Sequence, residues 1–251
     1  MTQNGFFRCR QMLLVTLLGV FFVGSVSYSD TLELIRKIPH SGYSEGLDFY
    51  EGYLWNALPK QILKIDPKDG AVLKRLTPSS DYSESLTWFE NSLWNLSFSD
   101  NGIYRGRINA RGEIKFNKTG STPEIHGWGI THDGKHLILT GDYSSKLYFI
   151  DPRKLSVVRK LETQGKDLED LAWDGHWIWT SSFTSERGKI FAIDPLNGKI
   201  VGTFALPDDS CPIIDGIAYD GKALWVTGKE CPSIYYLKKP SLRSLTSKKT
   251  K

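Results

Sequence analysis

Beyond residue 30 the apolar positions either alternate with polar ones or gather in short runs. Turn dipeptides such as Glu51-Gly52, Asp69-Gly70 and Asp220-Gly221 break these stretches. Alternation with a period of two, punctuated by turn residues, predicts strands joined by hairpins. No stretch carries the 3.6-residue period of an amphipathic helix, so the expectation is an all-β chain.

The pattern also repeats on a longer scale. Five units open with SEGLDFYEGYLWNA, SESLTWFENSLWNL, GWGITHDGKHLILTG, LEDLAWDGHWIWTSS and IDGIAYDGKALWVTG, and three of them later reach Ile-Asp-Pro at the end of a strand. The equivalent positions Gly46, Ser85, Gly129, Asp170 and Gly216 lie 39, 44, 41 and 46 residues apart. Such a period, carrying four short strands per unit, is the mark of a β-propeller, here five-bladed. The fifth unit stops after SIYYLKKP and lacks its last strand, which would leave an open sheet edge. Leu32 to Ile38 (LELIRKI) resembles the fourth strands VLKRL and VVRKL, so the last blade is predicted to be closed by the N-terminal strand. Trp55, Trp94, Trp179 and Trp225 recur in or near the second strands, where they are expected to pack between blades.

The ends of the chain differ from this body. Arg8 and Arg10 precede the apolar run Met12 to Gly24, followed by small residues at Ser25-Val26-Ser27. That is the layout of a secretory signal peptide, and the run is too short to span a bilayer. Residues 1–29 are therefore read as a signal, 30–240 as the propeller and 241–251 as a basic, disordered tail. A secreted or periplasmic location follows. The formal charge is +4, but two basic residues lie in the leader and six lie from Lys238 onward. No acid accompanies them, so the body carries −4 and has no basic stripe for nucleic acid. Without the leader two cysteines remain, Cys211 and Cys231, and in an exported chain they favour a disulfide over free buried thiols.

Propeller topology places a site before any motif is consulted. The loop leading into each first strand and the loop after each second strand open on one face. Tyr43, Glu45, Tyr82, Glu84, His126, Trp128, Asp167, Glu169, Asp170 and Asp215 come from the first set. Asn56, Phe98, Asp142, Phe183 and Lys229 come from the second. The result is an acidic mouth with aromatic walls and a lysine at its edge. Acids desolvated by such walls have raised pKa values suited to proton transfer near neutral pH. The sequence offers no Gly-rich phosphate loop, GxSxG elbow or histidine metal cluster.

The segments at these positions resemble the plant-type glutaminyl-peptide cyclotransferases of plants and bacteria, from about Tyr43 to Leu237. HGWGITHDGKHLILTGDYSSKLYFIDP looks like that family's GWGLTTDG segment with its following loop and IDP strand. Tyr82-Ser83-Glu84-Ser85-Leu86-Thr87 looks like its F-G-E-G-I-T, and Val226-Thr227-Gly228-Lys229 like its lysine loop. The resemblance implies a monomeric five-bladed propeller without a membrane span or resident cofactor. Its substrates would be peptide or protein N-termini, whose glutamine is converted to pyroglutamate with release of ammonia. Glu84 would shuttle protons, Lys229 would stabilise charge, and Glu45 and Glu169 would complete the catalytic set. Tyr43, Tyr82, Phe98, Trp128, Asp142 and Phe183 would hold substrate.

The chain departs from the family at several of these places. Glu45 stands for a glutamine, Glu169 falls near an asparagine, and Phe98 and Phe183 replace tryptophans. A carboxylate does not donate the hydrogen bond that an amide gives to a developing oxyanion. The extra negative charge favours a cationic ligand or a bound divalent ion such as calcium. Two readings stay open on sequence alone: a divergent cyclotransferase, and a non-catalytic binding module that uses the same pocket.

Overall fold

A computed structural model describes residues 30–111 and 113–242. The leader and most of the basic tail lie outside the described residues. Five sheets form, all strand among the described residues and without helix. Blade 1 comprises Gly46–Tyr50, Tyr53–Leu58, Gln61–Ile65 and Val72–Leu76, and blade 2 comprises Ser83–Phe89, Ser92–Ser97, Gly102–Ile108 and Ile114–Ser121. Blade 3 is Gly127–His132, Leu137–Gly141, Lys146–Ile150 and Val157–Glu162, and blade 4 is Leu168–Trp173, Ile178–Ser182, Lys189–Ile193 and Ile200–Ala205. Blade 5 holds Gly216–Tyr219, Ala223–Thr227 and Ser233–Lys238, with Leu34–Pro39 as its fourth strand.

That fourth strand runs antiparallel to Ser233–Lys238, pairing Leu34 with Leu237 and Ile38 with Ile234. The N-terminal segment thus closes the last blade, as the truncated fifth repeat requires. The clasp has a second half that the sequence pattern did not suggest. Asp30 and Thr31 add a short parallel pairing to Phe204 and Ala205 of blade 4, and Leu32 between the two halves is buried.

The apolar core is divided into five clusters, one at each blade interface. Trp55, Trp94, Trp179 and Trp225 each fall in a different one. The alternation of each strand explains this partition, because its two faces meet two different neighbours. Polar groups hold the centre. Asn56 and Asn95 donate across their own blades to the carbonyls of Gly46 and Ser85, at 2.7 and 2.9 Å. Asn56 is therefore a buried brace and not a mouth residue.

Asp170 is likewise not in the mouth. It lies one residue further down its strand and is fully buried at the axis. Its Oδ2 accepts the backbone N–H of Leu47 in blade 1 at 2.8 Å and of Ile217 in blade 5 at 3.0 Å. Its Oδ1 accepts the Ser85 hydroxyl of blade 2, and that hydroxyl oxygen accepts the Ile130 N–H of blade 3 at 3.1 Å. One carboxylate from blade 4 thereby ties all five blades. The first strands approach closely enough for this because the same layer is otherwise small: Gly46, Ser85, Gly129 and Gly216. A Cβ on Gly129 would stand 2.3 Å from the carbonyl oxygen of Glu169.

Replacing Asp170 by alanine strands the Leu47, Ile217 and Ser85 donors, each at a cost of about 1–3 kcal/mol. The expected loss is about 4 kcal/mol, read by calorimetry as a fall in Tm of roughly 10 °C. Asp170→Asn should lose less than half of that, since its amide oxygen still serves the two backbone donors.

Candidate active site

Equivalent first strands place equivalent residues at the mouth. The position just before the small layer is Glu45, Glu84, Trp128, Glu169 and Asp215 in blades 1 to 5, so four carboxylates and an indole ring the axis. All five are buried. Lys229, from the loop after the second strand of blade 5, reaches over them with its Nζ 2.8 Å from Glu45 Oε2 and 3.6 Å from Asp215 Oδ1. The Tyr82 hydroxyl donates to the other oxygen of Glu45.

The lysine loop is fixed from three sides. Asp215 Oδ2 accepts the Lys229 backbone N–H at 3.1 Å. Cys211 and Cys231 are joined by a disulfide, with Cα atoms 4.5 Å apart. Gly228 is required by close approach, since a Cβ there would stand 1.9 Å from the carbonyl oxygen of Ile213.

Above the acids lies a cavity of about 170 Å³. Of the residues expected from sequence, Tyr82, Glu84, Phe98, Trp128, Glu169, Phe183 and Lys229 line it. Glu45 lies behind this wall, acting through Tyr82 and Lys229, and Tyr43 stands half-exposed with its ring 5.4 Å from the lysine Nζ. Asp142 is not part of the wall. Both Asp142 and Tyr143 have left-handed backbone, with φ of 51° and 52°, and Tyr143 is the one of the two that lines the cavity. Tyr143 packs edge-on to Trp128 at 4.6 Å and sits 6.4 Å from Phe183. The sequence signal for it was present, since Gly-Asp-Tyr-Ser follows a second strand. The choice between neighbours depended on backbone twist. His126, expected at the mouth from its entry loop, stacks on Phe98 at 4.2 Å.

Burial pushes every carboxyl of the ring upward. Glu45 reaches about 7, with the Lys229 ammonium opposing the desolvation. Glu84 and Glu169 lie well above the usual range, through burial first and then through their charged neighbours. Asp215 is raised by burial and held back by Lys229. Burial alone would lower Lys229, but Asp215 and Glu45 outweigh it and keep its ammonium protonated. Two cavity groups lack a protein partner: the Trp128 indole N–H, a donor, and Glu169 Oε2. Among the described residues no three His, Cys, Asp or Glu side chains are arranged to hold a metal ion. The Lys229 ammonium takes the cationic place between Glu45 and Asp215.

Fold and site together define a five-bladed propeller with an acidic, aromatic-walled mouth at the channel end. The sequence matches the glutamine cyclotransferase family over residues 24–239, and the chain belongs to that family. A glutaminyl-peptide cyclotransferase of Arabidopsis thaliana is 30% identical over 129 residues. That stretch covers 45% of this chain and 39% of the plant protein, so the chain matches under half of that relative's length. The crystal structure of Myxococcus xanthus glutaminyl cyclase superposes over 87% of this chain and all of its own, with TM-score 0.71 and 16% identity, which shows the shared fold. The propeller domain of Cps50 (Swd1) from Myceliophteria thermophila, at TM-score 0.50 and 11% identity, covers 83% of this chain and marks how widely the architecture is used.

Two measurements follow. Glu45 titrates near 7 when folded and near 4.5 when unfolded, so the folded state holds the extra proton between those values. Through Glu45 alone, stability should therefore fall as pH rises from about 4.5 through 7, by about 3 kcal/mol. Thermal melts across that range should show the slope, and Glu45→Gln should make it shallower without removing it, because Glu84, Glu169 and Asp215 are raised as well. The disulfide closes a loop with sequence separation 20, worth about 3 kcal/mol. Reduction should lower Tm by several degrees in the same assay.

Proposed function

We propose that this chain is an exported glutaminyl-peptide cyclotransferase, acting on peptides and proteins that begin with glutamine. The observation that carries the reading is the pairing, within one small cavity, of raised carboxyls with unpartnered hydrogen-bonding groups. The reaction requires that pairing. The neutral α-amine of the substrate attacks the Cδ carbonyl of its own side chain, forming the lactam C–N bond. The carbonyl oxygen takes on negative charge, facing the Trp128 indole N–H and the Lys229 ammonium as donors. Glu84 accepts a proton from the attacking nitrogen and returns it to the side-chain nitrogen. The C–N bond to that nitrogen then breaks, and ammonia leaves.

A group that both takes and gives a proton works best with a pKa above the ordinary carboxyl range, and burial raises Glu84 in that direction. Glu169 adds a second carboxyl beside it, protonated well above the ordinary range and able to donate as an amide would. This answers the objection that a glutamate cannot replace an amide: while protonated, it carries an O–H. The aromatic wall of Tyr82, Phe98, Trp128, Tyr143 and Phe183 excludes water and holds the aliphatic part of the glutamine. Export is supported by the apolar leader with its basic head and by the disulfide, which persists in oxidising compartments.

The test is ammonia release from a Gln-initiated dipeptide by the purified mature chain. Turnover is expected, and Glu84→Gln should reduce it about 10²–10⁴-fold while leaving the thermal midpoint in place. A wild type that binds the dipeptide without releasing ammonia would leave only a binding role for the pocket. Turnover undiminished in Glu84→Gln would remove the proton relay.

A further inference from the structure

A larger cavity than the one at the mouth lies elsewhere. It occupies about 650 Å³ in the cleft between blades 1 and 2. Its rim includes Glu51 and the Glu90-Asn91 turn, which connect first to second strands and so lie on the face opposite the acidic mouth. The size is that of a small-ligand site.

The internal repeat shows what is unusual here. In three other blades the second-strand tryptophan finds an acceptor five residues earlier: Trp94 on the Phe89 carbonyl at 3.3 Å, Trp179 on Asp174 at 2.9 Å and Trp225 on Asp220 at 3.0 Å. In blade 1 Tyr50 holds that place, and the Trp55 indole N–H is buried without a partner. Trp88, across the same cleft, also has a buried and unpartnered N–H. Both indoles line the cavity. Orphaned buried donors are uncommon, and two around one cavity mark a place where an acceptor belongs.

The charges point the same way. Lys64 stands directly opposite Lys74 in the blade 1 ladder, and Arg107 directly opposite Lys115 in blade 2. Like charges at directly opposed positions destabilise a sheet. The rungs equivalent to Lys64–Lys74 in the other three blades do not repeat this: Phe149 faces Arg159, Ala192 faces Gly202 and Tyr236 faces Arg36. Lys64, Lys74, Arg105 and Arg107 all line the cavity against only Glu51 and Glu90. Neither Lys64 nor Arg107 forms an ion pair with a described residue. Burial first and then the neighbouring Arg107 lower the Arg105 pKa, with Glu90 opposing them. The excess of two positive charges matches a dianion. Exposed Ile108 and partly buried Tyr50 and Ile114 supply an apolar flank for the body that carries it.

We propose that this inter-blade cavity is a second binding site, independent of the mouth, for a phosphate monoester carried on a ring-shaped body. The phosphate sits among Lys64, Lys74 and Arg107, and the ring lies along Tyr50 and Ile108.

Titration calorimetry of the mature chain at low salt tests this with three probes: inorganic phosphate, phenyl phosphate and glucose 6-phosphate. At least one ester should bind saturably, about tenfold or more tighter than inorganic phosphate, and the order of the two esters tells an aryl from a sugar ring. Lys64→Met keeps an apolar stem of similar length and removes the ammonium, which lies 3.6 Å from the centre of the Tyr53 ring. That substitution and Arg107→Gln should each weaken the ester about tenfold and lower its salt dependence, with the thermal midpoint retained. Glu84→Gln, at the mouth on the opposite face, should bind the ester as wild type does. The proposal is overturned if no probe gives saturable heat, if inorganic phosphate binds as tightly as either ester, or if ester binding survives both substitutions.

Discussion

Everything in this propeller is arranged around one buried carboxylate. Five sheets packed face to face have apolar clusters to hold each neighbour, but pairwise packing alone does not fix how five first strands meet at an axis. Asp170 does so, by accepting from blades 1, 2 and 5 directly and from blade 3 through Ser85. A buried carboxyl is tolerable only when its lone pairs are served, and here the servers are the Leu47 and Ile217 backbone amides and the Ser85 hydroxyl. The small residues of that layer are the steric counterpart of the same constraint.

The acidic mouth is a direct consequence of this hub. Each first strand presents one residue to the axial layer and the residue before it to the mouth, so whatever the repeats carry at that position becomes a ring. In this chain the ring is Glu45, Glu84, Trp128, Glu169 and Asp215. Four buried acids at such close quarters cannot all be ionised. The single ammonium of Lys229 compensates part of the charge and protonation must compensate the rest. Holding protons that exposed carboxyls would have lost is what equips the ring for proton transfer. The disulfide and the Asp215 contact matter because they keep the compensating ammonium in register with the acids.

Most of the architecture was legible in the sequence because a propeller repeats its signals: turn dipeptides recur from blade to blade, second-strand tryptophans four times and Ile-Asp-Pro ends three times, and the missing strand was conspicuous. The candidate site was legible at the level of which loops converge, and less so at single residues. Glu169 and Asp170 are adjacent acids, yet one faces the mouth and the other locks the axis, a distinction set by strand alternation at one-residue resolution. Tyr143 in place of Asp142 turned on two consecutive left-handed residues, which no pattern of side-chain types encodes. Asn56 stands where a second strand ends, a position that the pattern assigns to the mouth, whereas its amide is consumed within its own blade. The parallel contact of Asp30 and Thr31 to blade 4 had no repeat to announce it.

The N-terminal clasp carries a consequence for how the molecule assembles. Glu33 and Lys238, joined across the closing seam, are 205 residues apart in the chain, so the fifth sheet is complete only after nearly the whole polypeptide is available. Contacts of such long range are slow to form, because the entropy of closing the loop is lost before the contact rewards it. Until the clasp engages, the edge strand Ser233–Lys238 presents unpaired backbone. During synthesis the first four blades can order in succession while the ring stays open. A chain cut short near its end would keep most of its sheets and still lack the partner that seals them, and it would offer that edge to a second molecule.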